Sequence, residues 1–143
     1  MRKLAAFALG EVRARADVTR GGVAPALGAM AGDADDQVRV NVQSSLGRSG
    51  GAGDALDAVR RGLADPDDEV RIHAAIALAR AAGTGTQAPD IAAAALKDAN
   101  RYVVGLAVEA LDRMGTPEAL RHLVPFLKTA RWCQFTRTGE SIY

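Results

Sequence analysis

The stretch from Leu63 to Leu78 recurs along the chain, and this recurrence limits the fold more than any other feature. It reads Leu63-Ala64-Asp65-Pro66-Asp67-Asp68-Glu69-Val70-Arg71 and continues through Ala74, Ala77 and Leu78: the end of one helix, a turn rich in aspartate, and the start of another. Val38-Arg39, behind Asp33-Ala34-Asp35, stands 32 residues before Val70-Arg71, and Val103, behind Asp98-Ala99-Asn100, stands 33 residues after Val70. A two-helix unit of that length cannot bury its apolar stripe alone and must stack on its neighbours to make a continuous core. The pattern predicts an all-α solenoid of helix pairs.

Taken in order, Arg2 to about Arg15 carries Ala5, Ala8, Leu9 and Val12 at the spacing of one helix face. Val23 to Met30 makes a short second helix. Asp33 or Asp35 caps the third, because a carboxylate accepts free first-turn N–H groups and suits the positive end of the helix dipole. That helix runs to about Arg48 and stops at Gly50-Gly51-Ala52-Gly53. Ala55, Leu56, Val59 and Leu63 line a fourth helix, and Val70, Ala74, Ala77, Leu78 and Ala81 line a fifth. Pro89 to Leu96 gives a sixth, and Asn100 to Met114 a seventh with Val103, Ala107, Ala110, Leu111 and Met114 inward. Thr116 as N-cap and Pro117 at the first helical position open an eighth through Leu120, Leu123, Phe126 and Leu127. Almost no segment alternates with a period of two, so about eight helices and no sheet are expected.

The motif Leu-x-Asp-x-Asp-x-x-Val-Arg-x-x-Ala-x-x-Ala-Leu, as in Leu63 to Leu78, resembles the HEAT-like repeats of phycobilin lyase subunits and many bacterial proteins. The resemblance covers about residues 1 to 128 and implies a right-handed α-solenoid, with the first helix of each pair on the convex side and the Val-Arg helix on the concave side. Met1-Arg2 aligns with Val38-Arg39 and Val70-Arg71, so the chain opens inside a repeat. Residues 1–130 form one repeat domain in this reading, and 131–143 a tail. Half of the aromatic side chains, Trp132, Phe135 and Tyr143, stand in that tail, which is expected to cap the last repeat. Because the motif consists of packing and turn positions, it speaks to fold far more than to function.

Three sets of residues are candidates for chemistry. Asp33, Arg39, Asp65, Arg71 and Asp98 match, by the resemblance, an inter-repeat ladder in which arginine forks satisfy carboxylates and open carbonyls. Val104 holds the arginine's place in the last repeat, which implies that the stacking face ends there or is filled by the tail. Arg48, Arg80 and Arg113 share one place in successive Val-Arg helices, with Glu11 at that place in the first; they suit either a basic stripe for anions or the negative ends of helix dipoles. His73, His122 and Cys133 are the only soft ligands, whereas zinc needs about four and di-iron HEAT hydroxylases display His-Glu repeats. No catalytic residue, metal or cofactor is expected.

Charge and composition narrow the function classes further. With 18 basic and 17 acidic residues and a net charge of +1, the chain has no overall field for nucleic acid or anionic membrane. HEAT-like alkylpurine DNA glycosylases use a basic concave surface, but they are longer. The single Cys133 allows no intramolecular disulfide and suits a reducing cytoplasm. The start imitates a signal peptide, but Glu11, Arg13 and Arg15 break its apolar run, and no stretch approaches the roughly 18 apolar residues that span a bilayer. The expectation is a cytoplasmic, non-catalytic scaffold. It would bind a protein partner, or a second copy, through a concave face of Asn41, Arg48, His73, Arg80, Glu109 and Arg113 and an open N-terminal end carrying Leu4 and Phe7. The alternative is an accessory subunit of an enzyme complex, holding a substrate or cofactor.

Overall fold

The computed structural model describes residues 1–15, 23–48, 55–81 and 86–129. Among them lie eight helices and no strand: α1 (Arg2–Arg15), α2 (Val23–Met30), α3 (Asp36–Arg48), α4 (Leu56–Leu63), α5 (Asp68–Arg80), α6 (Ala88–Ala95), α7 (Arg101–Met114) and α8 (Pro117–Thr129). The glycine stop at 50–53 and the tail with Trp132, Cys133 and Phe135 fall outside the described residues.

Short polar side chains start the second helix of each pair. Asp35 accepts the Gln37 N–H at 3.0 Å, Asp67 the Val70 N–H at 3.1 Å, and Asn100 the Tyr102 N–H at 2.9 Å. Each satisfies a first-turn donor that has no partner inside its own helix. Thr116 does the same for α8, accepting from Ala119 at 3.2 Å, and Gly115 ends α7 with φ of 59°, a left-handed conformation that glycine adopts without strain.

The helices form two layers. α1, α3, α5 and α7 stack on one another in order, while α2, α4 and α6 pack on α3, α5 and α7, and α8 rests on α6 and α7. This is an all-α solenoid, and its core repeats with the sequence. Val38, Val70 and Val103 are buried at one position of the unit, and Leu46, Leu78 and Leu111 at another. The five residues expected inward on α7 are all buried, as are the five on α5. α3 is covered by α1 on one side and α5 on the other, so Val38, Val40 and Val42 are all buried despite their alternation.

Small residues let the second helices approach closely. A Cβ at Gly10 would lie 2.4 Å from Ser45 Oγ, a hydroxyl that donates to the Ala6 carbonyl at 2.9 Å. A Cβ at Gly47 would lie 3.1 Å from the Ala77 Cα. Between layers, one at Gly62 would lie 2.4 Å from Gln43 Nε2, which donates to the Ala58 carbonyl at 2.9 Å. These contacts correct the expected face of α1: Ala5 and Ala8 are exposed, and Ala6 and Gly10 face α3, with Leu9 half-buried. A similar correction applies to α8, where Ala119 and Leu123 make the packing and Leu120 and Leu127 are exposed.

Candidate interaction surface

Along the turns runs a series of ion pairs that joins each repeat to the next. Arg39 donates to the Asp65 carboxylate from Nε at 2.7 Å and from Nη2 at 3.0 Å, while its Nη1 reaches back to the Asp33 carbonyl at 2.9 Å. One repeat later Arg71 donates to Asp98 from Nε at 2.9 Å, and its Nη1 reaches the Asp65 carbonyl at 2.9 Å and the Pro66 carbonyl at 3.1 Å. Asp68 also accepts from Arg71 and in turn from Asn100. Each aspartate uses its second oxygen to hold its own turn: Asp33, Asp65 and Asp98 accept the N–H two residues on at 3.0, 3.0 and 2.7 Å. The guanidinium thus spans two turns, its carbonyl contacts in its own repeat and its carboxylate contact in the next. Asp98, whose own repeat has Val104 at the ladder position, takes Arg71 from the one before.

A further rung begins this series, and sequence reasoning did not extract it. Arg2 Nε lies 2.9 Å from Asp33, and beside it Lys3 Nζ lies 3.0 Å from Asp35. The signal was present in the alignment of Arg2 with Arg39 and Arg71. This rung is more exposed, with the Arg2 side chain 68% accessible against 15% for Arg39. Burial pushes the Asp65 carboxyl up, yet the Arg39 hydrogen bond, the Asp67 N–H and the charges of Arg39 and Arg71 outweigh it and hold it below the ordinary 3.8.

The exposed face of the α1, α3, α5, α7 layer carries the other candidates. Arg48 sits over the Phe7 ring, 5.1 Å from its centroid, and 3.6 Å from Glu11, so it ties α3 to α1. His73 on α5 is half-buried; burial lowers its imidazole below the ordinary 6.5, Glu69 opposes this, and the charges of Arg48 and Arg80 add to it. Arg80 is exposed and, among the described residues, makes no hydrogen bond or ion pair. Arg113 pairs with Glu109 at 2.7 Å within α7. Asn41 is half-buried and donates to the Lys3 carbonyl at 3.2 Å. Phe7 and Arg48 are therefore in contact, and Arg48 and Arg80 lie near enough to His73 for their charges to act on it, whereas Glu109 and Arg113 form a separate pair. Leu4 is 68% exposed at the edge of the same face.

The remaining candidates do not converge. His122 Nε2 lies 3.1 Å from Asp90, linking α8 to α6, and Cys133 is outside the described residues. Among the described residues no group of three or more His, Cys, Asp or Glu side chains is placed to hold a metal ion. No helix among them is long and apolar enough to cross a membrane. Gln43 and Ser45, both buried, were invisible as core residues in the sequence, where Asn41 to Ser45 reads as a mostly polar run.

Comparison with known proteins agrees with a stack of helix pairs. A sequence model described as HEAT repeats matches residues 1–79 and 56–137. The chain belongs to the HEAT repeat family. A solved structure with which it aligns is the crystal structure of an engineered protein from the Northeast Structural Genomics Consortium, at TM-score 0.67 and 21% identity over 87% of this chain. This HEAT protein spans 61% of the length of that structure, and at such identity the likeness concerns the fold alone. No curated protein matches the sequence. HEAT repeats generally act as protein-interaction scaffolds.

Proposed function

We propose that this HEAT repeat protein is a non-catalytic scaffold that holds a protein partner, or a second copy of itself, on the exposed face of its second helices and at its N-terminal end. The residues engaged are Asn41, Arg48, His73, Arg80, Glu109 and Arg113 on the face and Leu4 and Phe7 at the end. The supporting observation is Arg48 seated over the exposed Phe7 ring, joining α3 to α1, with the charges of Arg48 and Arg80 both reaching His73 on α5. An aromatic ring and arginines side by side are the side chains that most often anchor protein interfaces. Exposed Leu4 extends this surface to the edge, and Arg80 offers a cation that no described residue neutralises. A nucleic-acid reading of the arginine column has less support, since Glu11 and Glu109 stand beside two of its three arginines. The accessory-subunit reading uses the same surface and differs only in the nature of the partner.

The test is capture from the native host, with the wild-type chain run beside a Phe7→Glu/Arg80→Glu double variant and an Asp57→Lys/Arg60→Glu control on α4. Proteins retained by wild type and control but lost from the face variant support the reading. Retention of the same proteins by all three would contradict it.

A further inference from the structure

Polar side chains bridge the layer of α2, α4, α6 and α8 at two places. Arg61 on α4 reaches α2, its Nη2 donating to the Gly28 carbonyl at 3.1 Å. His122 on α8 reaches α6, its Nε2 lying 3.1 Å from Asp90 Oδ1. Among the described residues no such bond joins α4 to α6. The repeat gives the reason. Leu63 and Leu96 hold the same place before their turns, so the counterpart of Arg61 on α6 is Ala94, whose methyl has neither the length nor the donor to reach across.

A cavity of about 270 Å3 opens at this junction, lined by Arg60, Leu63 and Ala64 on one side and by Ile91, Ala94, Ala95, Lys97 and Asp98 on the other. Of its apolar lining, Ile91 and Ala95 are buried and Leu63 is half-buried, whereas Arg60 and Lys97 are exposed. Asp98 is already engaged, accepting from Arg71 Nε at 2.9 Å and from the Asn100 N–H at 2.7 Å. Lys97 makes no hydrogen bond or ion pair among the described residues. Arg60 pairs with Asp57 along the surface of α4, where the two side chains are 66% and 81% accessible. Such an exposed pair contributes little and exchanges readily for another partner. The junction thus sets an apolar lining beside two cations that are open to an anion.

We propose that this cavity binds a short aliphatic carboxylate, a free fatty acid whose chain lies against Leu63, Ile91, Ala94 and Ala95 and whose head meets Lys97 and Arg60. A carboxylate accepts from an ammonium and a guanidinium together, and charge-assisted bonds of this kind are the strong ones. The tail takes the place of water over the apolar side chains. Size selects the class of ligand. The cavity has the volume of roughly nine water molecules at about 30 Å3 each, and it falls below the roughly 300–1,000 Å3 of clefts that enclose drug-sized ligands. It suits a single short chain rather than a ring system or a peptide segment.

Titration calorimetry of the full chain with octanoate, 1-octanol and octylammonium tests the proposal. Octanoate should bind saturably and roughly tenfold or more tightly than 1-octanol, while octylammonium should not bind. From hexanoate to octanoate the affinity should rise about fourfold for each added methylene. Ala94→Leu sets an isobutyl group in the cavity and should weaken octanoate binding roughly tenfold or more, the loss of about two buried methylenes. Leucine is a good helix former at this exposed position, and an unchanged circular dichroism spectrum checks that the fold is kept. Arg60→Gln/Lys97→Gln should bring octanoate down to the affinity of 1-octanol and leave 1-octanol unchanged, which keeps the test intact should Ala94→Leu unfold. Absence of saturable octanoate binding, equal affinity for the three probes, or wild-type binding by both variants would overturn the proposal. So would a wild-type chain that dimerises beside an Ala94→Leu chain that does not, which would assign the junction to a second copy.

Discussion

The Arg39 guanidinium meets the Asp65 carboxylate through two nitrogens, at 2.7 and 3.0 Å, while its third nitrogen holds the carbonyl of Asp33. A planar fork with five fixed donors can join two turns in this way, and a lysine cannot. The same arrangement at Arg71 and Asp98 fixes how each repeat sits on the next.

Arg71 and Arg80 therefore separate two uses of arginine. Arg71→Ala leaves Asp98 and two turn carbonyls without their donor and should destabilise the fold by about 1–3 kcal/mol. Arg80→Ala removes a side chain without a described partner and should change stability by no more than about 0.5 kcal/mol. Urea unfolding of the two variants checks this, and equal shifts would remove the distinction. Arg71→Lys should recover only part of the loss.

Acid should weaken the fold through Asp65. Its carboxyl is held below the ordinary 3.8 in the folded chain, so the unfolded chain binds protons more readily in that range. The stability it contributes is complete above the unfolded value and is lost as the pH falls through the folded one. Denaturant midpoints followed from neutral pH downward should fall more steeply for the wild type than for Asp65→Asn, which carries no such proton-linked term. Parallel curves would show that Arg39 does not bind the carboxylate more tightly than water does.

Much of this arrangement could be read from residue spacing. The 32 and 33 residue intervals place Val38, Val70 and Val103 at one core position, and the inward residues of α5 and α7 follow from helical period alone. Where helices approach closely, the reading failed for a physical reason: the contact is made by small or polar side chains, which carry little hydropathy. Ala6 and Gly10 replace Ala5 and Ala8 as the packed line of α1 because Ser45 fits against them, and Gln43 is buried because Ala58 offers it a carbonyl. On the exposed face, spacing aligned Arg48, Arg80 and Arg113 but could not show that Glu11 and Glu109 sit beside the outer two.

Two glycines test the close approaches directly. Gly62→Ala would set a methyl 2.4 Å from Gln43 Nε2 and 2.9 Å from Ala74 Cβ, both buried, so it should destabilise by about 1–3 kcal/mol through overpacking. Gly28→Ala meets nothing within 4 Å on a helix and should stabilise by about 0.5–1 kcal/mol. Thermal unfolding of both variants should show shifts of opposite sign. A stabilised Gly62→Ala protein would mean that α4 does not sit this close to α3 and α5.

If the proposed partner binds the exposed face of α1, α3, α5 and α7, a crosslinker placed there should capture it. Site-specific photo-crosslinking in the native host tests this most directly, with the photoreactive amino acid placed at His73 or Ile76 on that face, or at Asp57 on α4, whose side chain is 81% exposed. A discrete crosslinked protein is expected from His73 and Ile76, absent when Arg80→Glu is added, and none from Asp57. Crosslinks of equal yield from all three positions, or from Asp57 alone, would contradict it.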